Sequence, residues 1–249
     1  MIEVFKLSIA QINIEVTCRE RTVFKECKGY LSSFAVPDLI ISASMAELEA
    51  EANLLPPITE SYEGVATTRF YGNIESKIIQ QKIADNIPLF DSIVMHGSVV
   101  AFNNRGYMFT APSGVGKTTR TRIWLDLYPS SIVVNGDKPI IKITDTQAFA
   151  CGTPWCGKEG WNANTMVPLK AIFLLERADA EEESSVEEIN IGKAFPFLLQ
   201  QTHRPKDLGM MRKTLHLLKS LEGKVKIYKF RSTPTEESVK LAYETAKLR

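Results

Sequence analysis

The run Ala111-Pro112-Ser113-Gly114-Val115-Gly116-Lys117-Thr118-Thr119 sets two glycines, a lysine and two threonines at the spacing of a phosphate-binding loop. Apolar Tyr107-Met108-Phe109 precedes it and a helical pattern from Arg120 to Tyr128 follows, so the loop is expected to join a strand to a helix. Backbone N–H groups from Ser113 to Lys117 would then ring a β-phosphate at the positive end of that helix. Lys117 would reach the β- and γ-phosphates. Thr118 would offer its hydroxyl to Mg²⁺, a small hard cation that prefers oxygen ligands. Pro112, Ser113, Gly114, Val115, Gly116, Lys117, Thr118 and Thr119 are therefore the candidate nucleotide-binding residues. Ala111 stands where the motif usually opens on glycine, a change the motif tolerates.

A phosphate loop by itself implies binding; transfer also needs an acid near the metal and a group that prepares the nucleophile. Asp137 closes the apolar run Ser131-Ile-Val-Val-Asn135, a position where such folds bring a carboxylate beside Mg²⁺ and the γ-phosphate. By residue type alone, Asn135-Gly136-Asp137 reads equally as a turn that ends a strand. His96 lies in the run Ile93 to Phe102, where strand alternation would put it on one face with Ser98. Taken singly it is also what a hydrogen-bonded core histidine looks like. The segment Gly152-Thr153-Pro154-Trp155-Cys156-Gly157-Lys158 combines a flexible glycine, a rigid proline, an aromatic plate and a lysine. Gly152, Thr153, Trp155 and Lys158 are candidates for holding a substrate, and a plain turn with a packed tryptophan has the same composition. Lys170, His203 and Arg204 carry no assignment, since single charges near element ends are ordinarily surface features.

These groups need a scaffold of strands and helices. The pattern predicts a hairpin from Ile93 to Thr110 turning at Asn103-Asn-Arg-Gly106, then strands at Pro139–Ile143, Ala148–Cys151, Leu169–Leu175 and Lys224–Phe230. Helices are predicted at Lys193–Gln201, Leu208–Leu221 and Glu236–Leu248, the last capped from Ser232-Thr-Pro-Thr-Glu-Glu. Glu181 to Glu188 reads as a solvated loop. Before Asp91 the chain predicts a separate lobe, 1–91, with a strand from Ile2 to Val16, a second at Leu39–Ala43 and a helix from Asn73 to Asp85. The paired prolines in Asn53 to Tyr62 mark a connector there. The remainder, 92–249, would form the domain that carries the phosphate loop.

Composition narrows the function classes. The chain has 249 residues, with 30 Lys and Arg against 29 Asp and Glu, which suggests neither a nucleic-acid stripe nor a polybasic membrane face. No apolar run is long enough for a bilayer and the N-terminus does not read as a signal peptide, so a cytoplasmic protein is expected. Cys18, Cys27, Cys151 and Cys156 lack zinc-ligand spacing and are expected to be thiols without a role.

Three stretches together resemble the HPr kinase/phosphorylase superfamily, whose phosphate loop is related to that of phosphoenolpyruvate carboxykinase. They are Met95-His-Gly-Ser-Val-Val100, Phe109-Thr-Ala-Pro-Ser-Gly-Val-Gly-Lys-Thr-Thr119 and Val134-Asn-Gly-Asp-Lys-Pro-Ile140. Gly152 to Lys158, with Val167-Pro-Leu-Lys-Ala-Ile-Phe-Leu-Leu-Glu176, resembles the compact bacterial HPr-kinase-like proteins specifically. The resemblance spans about Ser92 to Glu176 and implies an α/β fold with an HPr-kinase and carboxykinase-like core beside a smaller N-terminal α/β lobe. It also implies an ATP- and Mg²⁺-dependent kinase acting on a hydroxyl, expected to be serine of a peptide or protein, and self-association like that of larger hexameric relatives. By that resemblance Asp137 takes the substrate proton, His96 is the histidine beside it, Lys117 stabilises the transferred group, and Thr118 with Asp137 serves the metal. Gly136 stands where the family usually has a first aspartate, with Glu159 a conceivable replacement acid. That departure sustains a second expectation, a nucleotide-binding regulatory or assembly protein with weak or lost transfer, in which Gly136→Asp should raise turnover. Carboxykinase chemistry and a Ras-type GTPase rank below both, the latter because no Asn-Lys-x-Asp sequence is present.

Overall fold

A computed structural model describes residues 2–54, 65–179 and 182–247, with backbone alone for 65–70. The fold is mixed α/β, and the chain divides into two compact units, Met1–Asn86 and Ile87–Arg249.

In the first unit, the expected single strand from Ile2 to Val16 is a hairpin of β1 (Glu3–Ile9) and β2 (Ile12–Cys18). The turn residues Ala10 and Gln11 both take positive φ, 54° and 63°, the backbone of a two-residue hairpin turn. The phase of the alternation slips there. Phe5, Leu7 and Ile9 and then Ile12, Ile14 and Val16 are the buried residues, so odd and even positions share one face across the turn. A third strand, β3 (Leu39–Ser42), runs parallel to β2, and helices α1 (Arg21–Cys27), α2 (Met45–Asn53) and α3 (Val65–Asn86) complete the unit. The wholly buried Glu75 of α3 accepts from the backbone N–H of Arg19 and Glu20, tying α3 to the start of α1. Burial pushes the Cys18 and Cys27 thiols up to about 11 and about 12, so both are inert. The paired prolines Pro56 and Pro57 lie outside the described residues.

The second unit is organised around one long strand, β10 (Met166–Arg177). Its first residues pair antiparallel with β9 (Ala148–Cys151), which continues through β8 (Ile140–Ile143) to β4 (Ser92–Val94). Further along, β10 runs parallel to β6 (Arg105–Thr110) on one side and to β12 (Lys226–Ser232) on the other. β5 (Ser98–Phe102) pairs β6 in the predicted hairpin, turned by Asn103 and Asn104 at positive φ, and β7 (Ile132–Asn135) lies outside β5. Two expectations change. The run Ile93 to Phe102 is two strands, because β4 joins β8 whereas β5 joins β6, and Met95-His96-Gly97 is the link where the chain changes partners. The charged stretch ending at Glu188 is not all loop, because β11 (Ser185–Glu188) pairs antiparallel with β12 and Glu188 meets Lys226 at 2.6 Å.

Alternation along β6 splits the core into two layers. Met108 packs with Ile172, Leu174, Leu198 and Leu218 on the face covered by α5 (Ile191–Gln201) and α6 (Leu208–Lys219). Tyr107 and Phe109 face the other way, onto Trp124 of α4 (Lys117–Leu127) and Tyr243 of α7 (Glu236–Lys247). The α7 cap is Thr235, whose hydroxyl accepts from Ser238 N–H at 3.2 Å. No helix among the described residues is long and apolar enough to cross a membrane.

Candidate functional site

The loop 111–116 leaves the carboxyl end of β6 and opens α4, the strand, loop and helix order that the motif demands. Gly114 and Gly116 take φ of 81° and 103°, conformations that L side chains resist, which is why glycine stands at both. Lys117 is the first residue of α4; its ammonium donates to the carbonyls of Ala111 at 2.8 Å and Pro112 at 3.1 Å. Burial lowers its pKa, and the nearby Asp137 charge acts against that shift. Pro112, Ser113 and Thr119 are exposed, Val115 and Thr118 half-buried.

The link Met95–Gly97 lies against the end of β6. Thr110 donates its hydroxyl to His96 O at 2.7 Å, and Gly97 N–H donates to Asp137 O at 2.8 Å. A Cβ on Gly97 would come 2.8 Å from the Phe109 carbonyl oxygen, so the close approach of link and strand depends on glycine there. His96 Nε2 lies 3.2 Å from Asp137 Oδ1, and Nδ1 lies 3.2 Å from Gln201 Oε1. An imidazolium satisfies both acceptors with its two N–H groups. With the Gln201 amide reversed, a neutral ring donates to Asp137 and accepts from Gln201. Ser98, expected beside His96, instead hydrogen-bonds Thr121 of α4 at 2.8 Å. The hydrogen bond from His96 holds the Asp137 carboxyl below its ordinary value against the opposing effect of burial, with the charges of Lys138 and Lys117 adding to it.

Two organising residues were not singled out from sequence. Gln201 ends α5, where Met95 bridges to Thr202 and His96 N–H donates to Gln201 O, so the backbone pairing carries the amide to the imidazole. Nothing in an isolated helix end signals this. Asn135 is fully buried and accepts from Asp137 N–H at 2.8 Å and Lys138 N–H at 2.7 Å, an Asx turn that fixes where Asp137 leaves the strand. Its amide donates to Thr153 O and Oγ1, both at 3.0 Å, and so joins Asp137 to the 152–160 loop.

That loop divides its candidates between two tasks. Gly152 and Thr153 build it: a Cβ on Gly152 would stand 1.8 Å from Ala163 O, and the Thr153 hydroxyl, wholly buried, donates to Lys138 O at 2.8 Å. Trp155 is half-buried and Lys158 exposed. Gly157, at φ 80°, approaches Asp137 so closely that a Cβ there would lie 3.2 Å from the Asp137 Cβ. Gly136 is enclosed by the same loop. Its N–H donates to Trp161 O, and a Cβ would meet Cys156 O at 2.9 Å, so the side chain of an aspartate has no room without moving backbone. Glu159 pairs with Arg122 of α4 at 3.5 Å. Cys151 is buried, and Asn162 Nδ2 donates to Cys156 Sγ at 3.1 Å.

Among the described residues no cluster of three or more His, Cys, Asp or Glu could enclose a metal. The half-buried Thr118 hydroxyl and Asp137 carboxylate are oxygen donors of the kind Mg²⁺ takes. A cleft of about 710 Å³ lies elsewhere, at the amino ends of β6, β10 and β12, lined by Arg105, Lys170, Glu188 and Lys226. None of the candidate site residues lines it, though the unassigned Lys170 does; a polyphosphate site of backbone N–H groups is an open cradle rather than an enclosed hole. No protein-family model matches the chain, and no curated protein matches it.

Proposed function

We propose that the protein is a Mg²⁺-dependent phosphotransferase of the HPr-kinase-like type, moving the γ-phosphate of ATP to a hydroxyl, with serine of a peptide or protein as acceptor. The observation that carries this reading is the His96–Asp137 pair, held at 3.2 Å, with Gly97 N–H bound to Asp137 O and Thr110 bound to His96 O directly before the glycine-rich loop. A doublet so placed offers a carboxylate where an incoming hydroxyl must lose its proton. As the acceptor oxygen forms its bond to the γ-phosphorus, the bond from that phosphorus to the β,γ-bridging oxygen breaks, ADP leaves, and the hydroxyl proton passes to Asp137. His96 orients that carboxylate and keeps it anionic. Lys117 and the amides of the loop would meet the charge on the transferred group. Mg²⁺, held from Thr118 and Asp137, would supply charge neutralisation between the phosphates. The HPr-kinase and carboxykinase-like core is part of this same proposal, supported by the strand, loop and helix order and by the three motifs.

One observation favours a second reading, a nucleotide-binding regulatory protein with weak or lost transfer. Gly136 takes the place of an acid, and the packing of Cys156 O leaves no room to restore it. Turnover of γ-labelled ATP with Mg²⁺ and serine-containing peptides separates the two. Label on a hydroxyl acceptor that disappears in Asp137→Asn supports the kinase; tight ATP binding with no transfer or hydrolysis supports the regulator.

A further inference from the structure

Two guanidinium groups grip the glycine-rich loop through three consecutive carbonyls. Arg177, the last residue of β10, donates to Gly114 O. Arg120, in the first turn of α4, donates from Nη1 to Val115 O at 3.1 Å and Gly116 O at 3.4 Å. Its Nη2 is fixed in turn by Ser232 at the end of β12, through O at 2.7 Å and Oγ at 2.8 Å, and the guanidinium lies 5.3 Å over the Phe230 ring. Arg120 is wholly buried, its Nε has no acceptor, and neither arginine has a carboxylate partner among the described residues. A buried cation without a counter-ion costs folding free energy, so its retention needs an explanation.

The geometry supplies one. No peptide here is cis, and in a trans peptide the C=O and N–H point in opposite directions. Holding the carbonyls of Gly114, Val115 and Gly116 from one side therefore turns the N–H groups of Val115, Gly116 and Lys117 to the other. Neither Val115 N–H nor Gly116 N–H has a protein acceptor among the described residues. Together they form an anion-binding nest whose rear carbonyls are clamped and whose rear charge is positive. We infer that Arg120 and Arg177 are positioning residues for a polyphosphate group, clamping the loop so that its amides face the anion, with the buried charge of Arg120 behind them for that anion to balance. This deepens the phosphate-loop reading and rests on it.

Binding of inorganic pyrophosphate and of ADP, each with Mg²⁺, measured by calorimetry beside melting curves, tests the inference. Arg177 is exposed, so Arg177→Gln should keep its melting temperature while binding pyrophosphate at least ~10-fold more weakly, the loss of one charge-assisted bond. Arg177→Lys should recover part of that. Arg120→Lys, which keeps the charge and loses the fork, should also bind at least ~10-fold more weakly at temperatures where it is folded. Native affinity in Arg177→Gln overturns the inference and leaves the phosphate-loop reading standing. A native chain that binds neither ligand overturns the phosphate-loop reading itself.

Discussion

Asp137 and His96 derive their chemistry from each other. N–H donation from the imidazole keeps the carboxyl of Asp137 below the ordinary aspartate range, so the group is anionic through neutral pH. The sign follows for stability: a depressed native pKa contributes above the unfolded value of ~3.9 and is lost as pH falls through the native one. The difference in melting temperature between the native chain and His96→Ala should therefore shrink as pH falls below ~4; a difference that keeps growing below pH ~4 would contradict the pairing. On activity, Asp137→Asn should lower transfer by ~10²- to 10⁴-fold, the usual worth of a general base, while ATP affinity changes much less. Equal losses in both would assign Asp137 to the metal alone. Packing around Gly136 points to an outcome other than raised turnover for an added acid. Adding an acid there drives a Cβ to 2.9 Å from Cys156 O, so Gly136→Asp should cost about 1–3 kcal/mol of stability and leave turnover no higher. Raised turnover at native stability would show that the loop yields.

At the scale of elements, the site is made where loops leave strand ends. β6 delivers the glycine-rich loop, the link after β4 delivers His96, and β7 delivers Asp137 through the Asn135 turn. The 152–160 loop closes on β7 because Ala163 N–H reaches Val134 O and the Asn135 amide reaches Thr153. Asn135→Ala strips five hydrogen bonds reaching the loop and turn at Thr153 O, Thr153 Oγ1, Trp155 O, Asp137 N and Lys138 N, leaving buried groups unpaired. A cost of at least about 1–3 kcal/mol is expected from denaturant unfolding, with transfer falling further than the stability loss explains because Asp137 loses its anchor. Unchanged transfer in the folded variant would mean that the Asx turn does not set the carboxylate's position.

For the whole molecule, ligand binding should appear as stability. A ligand that binds only the native state, at ~100 times its Kd, stabilises by ~2.7 kcal/mol, which for a unit the size of Ile87–Arg249 raises the melting temperature by roughly 5–10 °C. ADP with Mg²⁺ should do this for the native chain and fail with Lys117→Ala, since that ammonium would contact phosphate; equal shifts in both would argue against the loop as the binding site. Periodicity was enough to locate β8, β9, β12 and the helices α5, α6 and α7 to within a few residues, because each has one buried face and local caps. The break at Met95–Gly97 was not legible, since an apolar run looks the same whether it keeps one neighbour or changes to another. α1 and α2 escaped notice because they are short, and their burial is decided by packing against α3, far away in the chain. Local sequence determined the glycine-rich turn, its helix and the alternation of β6, all of which depend on φ preferences and nearest-neighbour periodicity. Only tertiary structure decided that Gln201 meets His96 across 105 positions, that Ser232 anchors Arg120 across 112, and that Gly136 is walled in by Cys156 O. Those contacts join residues far apart in the chain, and the packing of separate strands and loops brings them within hydrogen-bond or van der Waals reach.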